Sequence, residues 1–259
     1  MLVIKGFLIG MAKIIPGVSG AVLAISLGIY DKGIKAITNF FSDVKNNIRF
    51  LVPLGIGVGI SFIVGSKIVM FLLNNYYVFT MFLFLGLIMG GIPSVYKNIC
   101  RKRSGYIIFI FALISVLLLD TLSDNNIYVI SNSYMDLLVF MISGLIDAFG
   151  TVIPGLSSTA LLMLFGSYDI IMTAISEVNL FILIYYGIGM MVGLILVSYL
   201  MNYLFSKYKK KTYSLVLGLV IGSMIILFGR VIGNISNIYE LMICLLLLCL
   251  GVYVGKKLD

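Results

Sequence analysis

Along this chain, apolar runs of about twenty residues alternate with short stretches rich in charged or turn-forming residues. A helix crossing a hydrocarbon core of about 30 Å needs about 20 apolar residues. That length predicts spans near 50–73, 78–97 and 105–120, and again near 180–204, 212–229 and 238–255. Two further apolar segments, 6–30 and 137–168, are each interrupted in mid-course by a Pro-Gly pair, Pro16-Gly17 and Pro154-Gly155. Proline lacks the amide a helix needs and collides with the preceding turn. Each segment is therefore expected to be a re-entrant hairpin of two half-helices. The predicted fold is all-α and polytopic.

The second half repeats the first. Residues 6–37 align without gaps on 144–175 at an offset of 138, with 11 of 32 positions identical. The identities include Pro16/Pro154, Gly17/Gly155, Ser19/Ser157, Gly28/Gly166, Tyr30/Tyr168 and Asp31/Asp169. Chance matching of apolar residues produces Leu and Ile pairs, not this set. The match resumes at an offset of 132, where Gly55-Ile56-Gly57 meets Gly187-Ile188-Gly189, and Gly86 and Gly90 meet Gly218 and Gly222. The expected organisation is one membrane repeat over 1–122 and a second over 123–259, together one transporter domain.

Charge orients the copies. Cytoplasmic loops of membrane proteins carry an excess of Lys and Arg. Placing Lys97, Arg101, Lys102 and Arg103 in the cytoplasm, and alternating from there, puts 15 of the 18 basic residues on that side, with Lys13, Lys67 and Arg230 as exceptions. Asp120, Asp124, Asp136, Asp169, Glu177 and Glu240 fall on the other side. With three crossings per copy, the second copy is upside down relative to the first and both termini are cytoplasmic.

Composition agrees and narrows the chemistry. Hydrophobic residues make up 61% of the chain and charged residues 11%, with a mean hydropathy of +1.17; a soluble domain is nearer half apolar and a quarter charged. The basic residues behind the net charge of +8 cluster in short loops between apolar runs, and no basic patch with interleaved aromatics stands out, so nucleic acid is not expected as a partner. Cys100, Cys244 and Cys249 form no metal-ligand spacing and no disulfide framework. There is no histidine, hence no ordinary proton shuttle or metal ligand. No enzyme activity, metal or cofactor is expected, and the N-terminal segment does not look like a cleaved signal.

The candidate chemistry lies at the breaks. A helix interrupted at membrane depth frees backbone groups that cost several kcal/mol each if left bare in hydrocarbon. The half-helix after a break offers unpaired amides and a partial positive charge, an arrangement suited to phosphate or carboxylate. Pro16, Gly17, Ser19 and Gly20 in one copy, and Pro154, Gly155, Ser157, Ser158 and Thr159 in the other, form the candidate phosphate site. Read blandly, Pro-Gly-x-Ser merely kinks two helices. Intramembrane charges are costly and usually functional. Lys13, three residues before Pro16, pairs with the phosphate or snorkels to the interface. Asp147, seven before Pro154, binds a coupling cation or proton, or is a solvated acid near the outer interface. Arg230 captures a lipid phosphate at the outer face or anchors a helix there; Lys67, Asp31 and Asp169 read as interface anchors.

At these motifs, PGVSG…LGIYD in one half and PGLSS…GSYD in the other, the chain resembles the PopT family of polyprenyl-phosphate transporters over both repeats. The family tends to have Gly-Gly-Thr after the first serine, where this chain has Gly20-Ala21-Val22, and often has a polar or acidic residue where Lys13 stands. The resemblance implies transfer of undecaprenyl phosphate across the bacterial cytoplasmic membrane. Partners would be the polyprenyl-phosphate lipid, membrane lipids and a coupling ion, H+ or Na+; a homo-oligomer is compatible with the pattern. A permease for small anions on the same inverted scaffold is the alternative.

Overall fold

The computed structural model describes residues 1–14, 19–122, 134–235 and 237–258; Pro16 and Gly17 of the first motif, and Asp124, lie outside them. The first half runs α1 (Leu2–Ile14), α2 (Gly20–Ser26), α3 (Tyr30–Thr38), α4 (Val44–Ile60), α5 (Ser66–Tyr96) and α6 (Arg103–Leu122). The second half runs α7 (Tyr134–Val152), α8 (Ser158–Phe165), α9 (Tyr168–Ser176), α10 (Leu180–Lys207), α11 (Lys209–Ile232) and α12 (Ile238–Leu258). A single π-helical turn, Ser61–Gly65, joins α4 to α5, and a 3-10 turn, Phe40–Ser42, precedes α4. Seven helices among the described residues are long and apolar enough to cross a membrane.

The same local devices recur in both halves. Gly28 (φ +66°) and Gly166 (φ +80°) adopt the left-handed conformation that ends a helix. In each case the glycine amide and the next amide are taken up by the preceding turn: Gly28 to Ile25 and Ile29 to Ala24, then Gly166 to Met163 and Ser167 to Leu162. After the second glycine the chain bends by 116° into α9. Tyr76 (φ −139°, ψ 41°) interrupts α5, and Tyr208 (φ −126°, ψ 38°) separates α10 from α11. A threonine four residues on stitches each turn, Thr80 donating to the carbonyls of Leu72 and Tyr76 and Thr212 to those of Leu204 and Tyr208. The sequence places its first two crossings either side of residues 74–77; the backbone turns there.

Packing repeats as well. α1 packs on α4 and α7 on α10, within each half, whereas α5 packs on α12 and α11 on α6, across the halves. A Cβ at Gly57 would overlap the Val3 carbonyl oxygen, and one at Gly189 the Met141 carbonyl oxygen. Likewise Gly86 lies against the Leu248 carbonyl and Gly218 against that of Phe109. Such small-residue contacts let helix backbones touch where lipid provides no hydrophobic drive. Burial follows the same order: 61% of the most apolar stretch of α5 and 50% of that of α11 are buried, against 17% for both α6 and α12. α5 and α11 are thus the central pair, and α6 and α12 present rows of bare apolar side chains such as Phe111 and Leu246.

One element departs from expectation. α7 has 19 residues and meets the length for a crossing, where the sequence suggests only one arm of a hairpin. α1, its counterpart, has 13 residues and does not.

Candidate functional site

Each break joins a longer helix to a short one. On the second-half side, Pro154 is fully buried and Gly155 has φ +85°, a conformation that favours glycine. A Cβ there would also strike Leu219 of α11. Ser223, one turn further along α11, donates to the Gly155 carbonyl at 2.5 Å and to Leu219 at 3.0 Å, so the freed carbonyl of the break has a partner. Ser157 caps α8, its hydroxyl accepting from the Ala160 amide at 3.4 Å and lying 2.7 Å from the Thr159 hydroxyl. Ser158 opens the helix. A serine cap satisfies one of the unpaired first-turn amides.

On the first-half side, Ser19 precedes α2 with the same extended backbone but makes no capping bond. It is buried, and its hydroxyl has no partner among the described residues. Gly20 begins α2 and is half-buried.

The charges meet between the halves. Lys13 Nζ lies 3.3 Å from Asp147 Oδ2 and donates to Thr151 Oγ1 at 2.7 Å. The Tyr186 hydroxyl donates to the same Asp147 oxygen, and Thr151 donates back to the Asp147 carbonyl at 2.8 Å. The Asp147 side chain is 5% exposed and that of Lys13 is 21% exposed. Asp147 is therefore not a solvated acid at the outer interface: α7 carries it inward, against α10 and the end of α1. Thr151 stands 138 residues after Lys13, so the two matched positions of the repeat touch each other. Nearby, Tyr30 of α3 donates to the Val152 carbonyl at 2.7 Å. Burial, reinforced by neighbouring Asp31, pushes its phenol well above the usual range, which leaves it a neutral donor.

Between α6, α8 and α11 lies a cavity of about 370 Å³. It gathers Gly155, Ser157 and Thr159 from the second motif with Arg230, Asp120 and Ser223, and is walled by Val116, Leu119, Leu156 and Ile226. Arg230 pairs with Asp120 at 2.5 Å and is partly exposed, so this pair adds little stability and leaves the guanidinium available at the rim. A shallower surface groove along α3 and the start of α4 contains none of the break residues.

Of the residues singled out from sequence, one cavity thus joins Gly155, Ser157, Thr159 and Arg230, and a separate cluster joins Lys13 to Asp147. Sequence reasoning missed Thr151, Tyr186 and Ser223. Thr151 was within reach as the repeat partner of Lys13, and Ser223 as that of Gly91. Tyr186 lies in an unbroken apolar span and carried no signal.

The family described as VCA0040-like, undecaprenyl phosphate translocase-like, matches residues 9–240. A protein of Staphylococcus aureus named polyprenyl-phosphate transporter is 31% identical, over 99% of this chain and 94% of its own length. A protein of Vibrio cholerae with the same name is 26% identical, over 85% of this chain and 75% of its own. No solved structure matches the chain. With most of both halves covered, motifs included, the chain belongs to the undecaprenyl phosphate translocase-like family.

Proposed function

We propose that the protein carries polyprenyl phosphate across the bacterial cytoplasmic membrane by alternating access, coupled to an ion gradient, with two inverted repeats (1–122 and 123–259) and both termini in the cytoplasm. The cavity beside the second break carries the reading. Its polar end, Ser157, Thr159 and Arg230, suits a phosphate, while Leu119, Leu156 and Ile226 give an apolar wall to the first prenyl units. A lipid phosphate needs both; a small anion needs only the first. The names of the relatives point to the same substrate. In the first half, Pro16, Gly17, Ser19 and Gly20 would supply the equivalent site for the opposite leaflet.

Alternation is supported by an inequality between matched elements. α3 packs on α2 and α4 of its own half and also on α10 of the other, with Tyr30 edge-on to Phe205 and Asp31 accepting from Tyr213. Its counterpart α9 packs on α8 and α10 of its own half, without comparable packing on α4. α3 is packed across the two halves, and the cavity reaches Asp120 and Arg230 near the far ends of α6 and α11, which the charge pattern assigns to the outer face. This is the form a carrier would take when ready to receive a headgroup from the outer leaflet. Inverted repeats with broken helices typically exchange such contacts between two states.

The test is translocation of a short-chain polyprenyl phosphate in proteoliposomes. Ser19→Leu combined with Ser157→Leu should lower the rate by about tenfold or more, equivalent to about 1.4 kcal/mol. An unchanged rate in a folded double variant sinks the site.

A further inference from the structure

We infer that the Lys13–Asp147 pair is the coupling site: Asp147 binds one proton when the Lys13 ammonium leaves it for the lipid phosphate. The inference rests on the polyprenyl-phosphate reading above and adds to it the identity of the ion and the residue that takes it.

The pair does not belong to the framework that the repeat builds twice. The positions matched to Lys13 and Asp147 are Thr151 and Ile9, so one cation and one anion stand where the two halves meet. Burying both is costly unless each is compensated. A fixed structural role would be served equally by apolar residues of similar volume, as the Ile9 position shows.

A carrier must cross the bilayer loaded and return empty, and in both forms unpaired charge in the low-dielectric interior is penalised. With the ammonium against the carboxylate, as in the Lys13–Asp147 pair, an empty carrier meets that condition. In the loaded form Lys13, three residues before Pro16, would pair with phosphate instead, and Asp147 would be left bare. Adding H+ to its carboxylate gives a neutral acid and, with the phosphate carried as its monoanion, restores the balance, so one proton travels with one lipid. No bond other than the new O–H forms.

The surrounding groups allow this exchange. Thr151 Oγ1 now accepts from Lys13 and lies 3.4 Å from Asp147 Oδ1. Once lysine leaves, that hydroxyl oxygen can accept a hydrogen bond from Asp147 Oδ1–H. Tyr186 stays bonded to Oδ2 throughout. Of the elements packed on α1 and α7, α2 and α8 carry no titratable residue. From α4, α5 and α10, Tyr186 alone hydrogen-bonds to either partner among the described residues. Asp147 is thus the carboxylate available to respond.

The experiment uses the full-length protein in proteoliposomes with a short-chain polyprenyl phosphate and an imposed pH gradient. Coupling of one proton per lipid predicts accumulation on the alkaline side of about tenfold per pH unit. Asp147→Asn should still exchange labelled for unlabelled lipid, a cycle without an empty return, but lose pH-driven accumulation. Asp147→Glu, which restores a titratable group, should regain it. Accumulation by Asp147→Asn equal to the parent overturns the inference, as does a parent protein that exchanges lipid but ignores the pH gradient or follows sodium alone. Absence of any lipid exchange by the folded parent strikes the substrate reading itself, and the coupling falls with it. If Asp147→Asn does not fold, a pH response in Asp147→Glu that matches the parent decides for the inference, and a lost response decides against it.

Discussion

The two halves share a scaffold and differ in chemistry. Helix crossings, glycine contacts and threonine-stitched turns recur position for position. The bonds that the described residues make around the breaks do not. Ser157 caps its helix, while buried Ser19 has no hydrogen-bond partner among the described residues. Ser223 holds the Gly155 carbonyl, while its counterpart Gly91 has no side chain and lies against Ser26. Lys13 of the first half reaches into the second to meet Asp147. Backbone contact demands small residues wherever two helices touch, so both copies keep them. A carrier that must distinguish two sides of a membrane needs its polar residues unequal, and there the copies have diverged.

The shared scaffold makes the largest prediction. Gly57→Leu and Gly189→Leu should each destabilise the protein by about 3 kcal/mol or more, because the side chain would have to displace a helix backbone. Gly55→Leu and Gly187→Leu, with nothing within 4 Å of the added carbon, should leave the melting temperature in detergent nearly unchanged. If Gly57→Leu is tolerated and Gly189→Leu is not, the two crossings are not equivalent.

The next tests the charged seam. Asp147→Ala leaves Lys13 without its carboxylate, and breaking a buried pair costs about 3–5 kcal/mol. Lys13 is one-fifth exposed, so thermal denaturation should report the lower end of that range. Lys13→Met in the same protein should recover most of the loss.

Tyr30 and Tyr168 offer a third comparison. Tyr30→Phe removes a donor from a buried carbonyl and should cost about 1–2 kcal/mol. The Tyr168 hydroxyl makes no hydrogen bond among the described residues, so Tyr168→Phe should leave stability unchanged. If α9 takes α3's role in the opposite state, Tyr168→Phe should nevertheless slow lipid translocation severalfold. Equal translocation by Tyr168→Phe and the parent removes that mirrored latch.

The smallest effect separates the two serines. Ser157→Ala should cost about 1 kcal/mol through loss of the cap. Ser19→Ala should cost almost nothing, since no bond is lost, and equal losses would make the two short helices alike after all.

The spans were legible because apolar length is a property of local sequence, and the breaks because Pro-Gly in an apolar run has few other uses. The duplication was legible from Pro, Gly, Ser, Tyr and Asp at matched offsets. The length of α7 was harder to judge: Tyr134–Val152 contains Asp136 and Asp147, and a carboxylate in an apolar run reads as an end rather than a middle. For Asp147 the sequence leaves a coupling site and a solvated acid near an interface both open, because its partner Lys13 lies 134 residues away.

From the order of its residues alone, this chain specifies a membrane solvent, its helices, its two motifs and their repetition. These follow from hydrophobic length and from backbone restrictions that act over a few residues. The exchange of α5 and α11 between halves, the cavity that joins Arg230 to the second motif, and the meeting of Lys13 with Asp147 are set by which helices touch. Those contacts join positions more than a hundred residues apart, where only packing and charge compensation in three dimensions select the partner.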